Sequence, residues 1–395
     1  MSTGEPLAIL MAVPMFPPPF VGGLEKQAHE LALTLVEQGH RVKVLSGKQD
    51  GAHAPLAQQQ GVSVHRIIWP RRRWIRFLLA PWLVLQQFRR IASGVDAVHC
   101  HVFSSFGLYL VLLARLHRKP VLVKLPNVGI DGLPGLRQRR FGALLLRIFR
   151  MADAVVAMSV ESKRELDAIG FDRRRVLATP NGIRMRPLAT PRPPSGTNCR
   201  FVFVGRLHEQ KGLPDLLLAC QQLERRGLGG RYALDLVGSG PLEASLGQEI
   251  LRLELGGVVR MLGASENVRD LMAGYDALVL PSYREGNSNA ILEAMAEALP
   301  VISTAVGGTP MLVGAAGASL LHAPGDIEAL ALLMQRLIEE PDARRGIGAQ
   351  MRERVARYFD IEQVAQTYVR AYEFLRAGQR ECVASVSNPV IDEDT

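Results

Sequence analysis

The stretch ALVLPSYREGNSNAILEAMAEALPVIST, residues 277–304, decides how the rest of the chain is read. Residues 277–282 form a short apolar run of the kind that makes a buried strand. The polar loop YREGNSN follows, and a helix is expected to start near Ser288 or Asn289. VIST, at 301–304, is a second buried run. Strand, helix and strand in so short a span read as one crossover between parallel strands.

The same alternation extends in both directions. Upstream, strands are expected at 7–13, 42–45, 62–68, 97–100, 121–125 and 154–158, with helical spacing at 24–36, 75–91 and 106–116. The Pro- and Ser-rich segment RPLATPRPPSGTN interrupts the pattern, which restarts with FVFVGR at 201–206 and ALDLVG at 233–238. The expected fold is α/β, two Rossmann-like doubly wound domains facing a shared cleft. Their bounds are 1–187 and 200–358, with a linker at 188–199. A helix at 359–378 returns to the first domain, and 379–395, which lacks periodicity, is expected to be disordered.

With 395 residues and 48% hydrophobic content, the chain suits a soluble protein of two domains. No apolar run is long enough to span a membrane, and a signal peptide is not expected. The four cysteines lack metal-site spacing and read as reduced thiols, which points to the cytoplasm. Residues 1–190 hold 27 Lys+Arg against 12 Asp+Glu, whereas the remainder holds 20 against 26. The basic half should be drawn to an anionic partner. Trp69, Trp74, Trp82 and the arginines around them, with RQRRFGALLLRIFR at 137–150, suit a helix lying in an anionic membrane face; a buried helix with basic ends fits as well. A nucleic-acid partner would require basic and aromatic residues interleaved on an RNA-binding pattern, and none is present.

Ligands of such sheets gather beyond the carboxyl ends of the strands, where several residues could carry chemistry. Gly22 and Gly23 open the first helix and could admit a phosphate to its N-terminus, although an ordinary helix start explains them better when taken alone. Arg206 and Lys211 flank the loop after 201–206 and could clamp a diphosphate; Gly238 lies in a further strand-end turn. Glu285 precedes Gly286, Asn287 and Ser288, whose amides would face the cleft. Asn289, Glu293 and Glu297 share one helical stripe, which on spacing alone is a solvent face. His99 and His101 alternate along a strand, so one should face each side, with His101 the better site candidate.

Together GGLE, PNGI, VGRLHEQKG, VGSGP, REGNSNAILEAMA and VGGTP resemble a retaining glycosyltransferase of family 4 with GT-B architecture. The eight-residue step from Glu285 to Glu293 is the most specific element. The resemblance implies a nucleotide-diphosphate sugar, UDP ahead of GDP, and transfer to a glycan acceptor; the basic amphipathic stretches favour an acceptor that is lipid-linked on a membrane face. It implies no cofactor and no metal, and the DxD at 392–394 reads as solvated charge. Glu293 would hold the ribose. Glu285 with the amides of Gly286, Asn287 and Ser288 would hold the sugar, and Arg206 and Lys211, helped by Gly23, would meet the diphosphate. Glu297 keeps the solvent reading. Many relatives carry a histidine where this chain has KLPN, which leaves Lys124 and Asn127, with His101, as acceptor-side candidates; a structural role for Lys124 fits equally. The alternative function is a silent nucleotide-sugar sensor or partner subunit.

Overall fold

The computed structural model describes residues 5–17, 22–48, 54–68, 72–101, 104–188 and 198–391. Trp69 and residues 392–394 lie outside these. The chain separates into two compact units, one comprising residues 1–184 and 361–395, the other 185–360.

The first unit is built on eight strands: β1 (Ala8–Val13), β2 (Arg41–Lys48), β3 (Leu56–Gln59), β4 (Val62–Ile68), β5 (Ala97–Cys100), β6 (Val121–Leu125), β7 (Ala154–Ala157) and β8 (Val176–Ala178). Their order is β3-β4-β2-β1-β5-β6-β7-β8, all parallel except the edge pair β3 and β4. Strand β1 reads AILMAV and is buried throughout, as a strand covered on both faces must be. Its residues alternate between two core layers. Leu10 and Ala12 pack with Phe88, Val111 and Phe149 from helices Arg73–Ile91, Ser105–Leu116 and Gly142–Phe149. Ile9, Met11 and Val13 pack with Leu31 and Leu35 from helix Gly23–Glu37 and with the C-terminal helix Ile361–Arg376. That last helix buries Ile361, Val364, Ala365, Tyr368, Tyr372 and Leu375, an apolar stripe at helical spacing.

The second unit has six parallel strands: β9 (Cys199–Val204), β10 (Tyr232–Val237), β11 (Val259–Gly263), β12 (Ala277–Leu280), β13 (Val301–Thr304) and β14 (Leu321–His322). The order β11-β10-β9-β12-β13-β14 places the reversal of winding between β9 and β12. In the first unit the corresponding reversal lies between β1 and β5. Three of the cysteines are buried, and burial pushes the thiols of Cys100, Cys199 and Cys220 up to about 12.

The segment expected to be disordered is folded through Ile391. Turns of 3-10 helix cover Arg380–Val386 and Pro389–Ile391, and Val383, Val390 and Ile391 are wholly buried. The segment clips onto β8: Ala178 N donates to Ser387 Oγ at 2.9 Å, and Asn388 N donates to Ala178 O at 2.7 Å. Single turns have too few residues to show a period, so the pattern test misses them. Cutting the chain after residue 379 should therefore destabilise the first unit by about 4.5–9 kcal/mol, from roughly 1.5–3 kcal/mol for each of three buried aliphatic side chains. Urea unfolding of the truncated and full chains measures this, and equal midpoints would contradict it.

Candidate functional site

In the second unit the loops after β9 and β12 meet where the winding reverses. Lys211 ends the short turn Glu209–Lys211 after β9, and its Nζ donates to Glu285 Oε1 at 2.5 Å. Ser282 Oγ donates to the same oxygen at 2.8 Å. The Glu285 side chain is 8% exposed and that of Lys211 23%, so the pair sits at a surface without being bathed by it. Two glycines make the arrangement possible. At Gly212 (φ +64°) a Cβ would lie 2.0 Å from Pro281 O, and at Gly307 (φ +55°) one would lie 1.8 Å from Glu285 O. Backbone thus presses on backbone, and the pair is set by the chain path rather than by side-chain packing. Tyr283 N donates to Gln210 O at 2.8 Å, and Gly308 N to Gly286 O at 2.8 Å, which stitches the loops after β9, β12 and β13 together.

Helix Asn289–Ala296 begins behind this pair. Its N-cap, Ser288, is extended and makes no side-chain cap, so the first-turn amides are not taken up by it. Gly286 and Asn287 are half-buried in the loop that leads there. Arg206 is exposed and has no side-chain partner among the described residues. Gly238 lies against the carbonyl of Gly205, where a Cβ would come within 1.8 Å; this close approach is itself a reason for glycine.

The polar stripe on helix Asn289–Ala296 is not a solvent face. Glu293 is 5% exposed and Glu297 3%. Glu297 Oε1 accepts from Arg186 Nε at 2.8 Å and from Arg269 Nη2 at 2.7 Å, while Arg186 also pairs with Asp270 at 2.5 Å. Arg352 donates to the carbonyls of Ala296 and Arg186. The solvent reading fails because these arginines lie far from Glu297 in sequence, where spacing on the helix cannot reveal them.

The first-unit candidates divide differently. Gly22 is the extended N-cap of helix Gly23–Glu37, and a Cβ there would lie 2.9 Å from Glu25 Oε2. A carboxylate therefore already stands at that helix start. His101 follows the end of β5 and is 1% exposed. Its ring lies 3.9 Å from that of His99, so the two histidines do not face opposite sides. The pleat ends at Cys100, and beyond it the two-residue alternation no longer applies. Burial, then the neighbouring cation of Lys124, holds His99 well below the usual histidine range; for His101 the causes are burial, His99 and Lys124. His99 Nδ1 and Tyr372 OH share a hydrogen bond of 2.6 Å.

Lys124 is 5% exposed and donates to Asn181 Oδ1 at 2.9 Å, which ties β6 to the PNGI loop. Gln27 grips the same loop, donating to Gly182 O at 2.9 Å and accepting from Gly182 N at 3.2 Å. Asn127 is exposed. Lys124 and Gln27 thus anchor a loop. The sequence signal for that role was the quoted PNGI; Gln27 had none.

Burial lowers the Lys124 ammonium to about 8. Between about pH 8 and its ordinary value of 10.5 the unfolded chain binds a proton that the folded chain does not, so stability rises with pH across that window. Against Lys124→Met, which lacks the group, the wild-type protein should gain Tm from pH 8 to 10. A difference that stays constant across that range would contradict a buried, depressed ammonium.

The Glycosyl transferases group 1 family matches residues 192–354, and the Glycosyl transferase 4-like domain matches residues 22–182. The chain is 30% identical to the amylovoran biosynthesis glycosyltransferase AmsK of Erwinia amylovora, over 74% of this chain and 76% of that one. It is 25% identical to a glycogen synthase of Mycobacterium tuberculosis, over 95% and 96% of the two chains. Among solved structures, the fold matches HepE of Anabaena in complex with UDP-glucose, with a TM-score of 0.75 at 22% identity over 93% of this chain and 99% of that one. Sucrose-phosphate synthase from Thermosynechococcus elongatus matches with a TM-score of 0.75 at 21% identity, over 94% and 100% of the two chains.

Proposed function

We propose, from the premise that the chain belongs to the group 1 glycosyl transferases, that it is a retaining, metal-independent enzyme of polysaccharide synthesis. It would move a hexose from a nucleotide-diphosphate sugar to a glycan acceptor. The observation that carries the reading is the Lys211–Glu285 pair where the winding of the second sheet reverses. A departing diphosphate develops negative charge, and fixed cations stabilise that charge best. Lys211 would turn from Glu285 toward the diphosphate, joined by the unpartnered Arg206. Glu285 would then be released to hold hydroxyls of the transferred sugar, with the amides of Gly286, Asn287 and Ser288 beside it. Glu293, buried one turn into the helix, would hold the ribose. UDP is put ahead of GDP; the likeness in fold to HepE, solved with UDP-glucose, supports that choice.

The test is release of nucleotide diphosphate from a panel of UDP- and GDP-sugars. Glu285→Ala should abolish transfer. Lys211→Ala should lower kcat by about 10²–10³, the usual effect of removing one group that stabilises transition-state charge. Normal turnover by either variant would overturn the site assignment.

An acceptor on a lipid phosphate would place the enzyme on the inner membrane face. Among the described residues no helix is long and apolar enough to cross a membrane. Residues 72–151 hold 14 Lys+Arg and 2 Asp+Glu. Leu79 and Trp82, on helix Arg73–Ile91, and Phe141 and Leu144, at helix Gly142–Phe149, are 42–61% exposed. Both helices pack against one core layer. Exposed apolar side chains in a region rich in arginine suit an interface of anionic headgroups over acyl chains. The protein should float with anionic vesicles at low salt, less so at high salt, and less in a Trp82→Ser, Phe141→Ser double variant. Recovery in the soluble fraction under all conditions would remove the membrane partner from the proposal.

A further inference from the structure

We propose that Glu165 is a positioning residue for acceptor use, acting through the loop at the carboxyl end of β6; this rests on the reading of the first unit as the acceptor side. Glu165 lies on helix Val160–Ala168, the element after β7. Its two carboxylate oxygens are spent on backbone of a different loop. Oε1 accepts from Gly129 N at 2.5 Å, and Oε2 accepts from Leu133 N at 3.0 Å.

The loop is built to receive the carboxylate. A Cβ on Gly132 would lie 2.6 Å from Oε2, 2.8 Å from Val128 Cα and 2.9 Å from Asn127 O, so acid and loop backbone close together around this glycine. Gly129 has φ +67°, which turns its amide toward Oε1 without the strain a larger residue would suffer. Gly135 closes the far side, where a Cβ would lie 1.6 Å from Ile130 O.

The choice of partner is informative. The first half of the chain is rich in arginine, yet no cation pairs with Glu165 among the described residues. Burial, with the nearby Glu161, raises the pKa of Glu165, and the two amides offset only part of that penalty. Both oxygens are thus spent on the backbone path of the loop rather than on a side chain. What Glu165 shapes instead is the segment from Asn127 to Ile130, whose end residues are exposed, Ile130 by 53%. This segment follows Lys124 and lies beyond the strand end, where such sheets meet their ligands. Glu165 therefore fixes a surface that faces outward, and the acceptor would be held against Asn127 and Ile130.

The experiment compares wild type with Glu165→Gln, which keeps size but offers only one accepting oxygen. Amide hydrogen exchange at Gly129 and Leu133 should quicken. With UDP-glucose as sugar donor and a polyprenyl-diphosphate monosaccharide as acceptor probe, the acceptor KM should rise about tenfold to a hundredfold, the scale of a small misplacement. Release of UDP without acceptor, and the KM for UDP-glucose, should not change. Glu165→Asp, whose shorter side chain cannot reach both amides, should reproduce the pattern should Glu165→Gln fold poorly. Unchanged exchange, or donor and acceptor constants shifting together, overturns the inference. A wild-type enzyme that releases no nucleotide diphosphate from any sugar of the UDP and GDP panel overturns instead the glycosyl-transfer reading beneath it.

Discussion

Strands covered on both faces can carry almost no polar side chain, because an unpaired polar group in such a layer costs several times what a hydrogen bond returns. Strand β1 has no polar residue, and β7 and β12 likewise read AVVA and ALVL. The chemistry of this chain is thereby displaced to the loops beyond the strands. Where the winding reverses, two such loops diverge and leave room for a ligand. Lys211 follows β9 and Glu285 follows β12, the two strands flanking that point. Glycines at 212 and 307 then bring the loops to backbone contact, so that a flexible lysine and a short loop still present a defined pair.

Much of this was legible in the sequence, because burial on both faces writes itself as unbroken apolar runs. The strands at 62–68, 97–100, 121–125 and 301–304 were expected with the bounds the structure has, and Lys211 and Glu285 were singled out by their place after such runs. The misses share a physical cause. Strand β3, LAQQ, is a half-exposed edge with no apolar run, and β8 has three residues. The C-terminal turns rest on three aliphatic side chains, at 383, 390 and 391, too few to show a period. Glu297 and Lys124 were misjudged or left open because their partners, Arg186, Arg269 and Asn181, are brought together only by the fold.

One segment carries buried acids whose partners assign them opposite tasks. Glu297 is 1% exposed at its side chain and spends one oxygen on two guanidinium groups, Arg186 and Arg269, the first of them also paired with Asp270. Removing either arginine would leave a buried charge short of compensation, so this cluster is an anchor for the end of helix Asn289–Ala296. Glu285 faces a single lysine on a flexible stem, and its carboxylate is the more open of the two acids, 8% exposed against 1%. A lysine is a point charge that can swing to a phosphate, whereas a fork of arginines is committed to the geometry it holds. The number and stiffness of the partners, rather than the carboxylates themselves, separate the group that can take part in a reaction from the one that holds its helix in place.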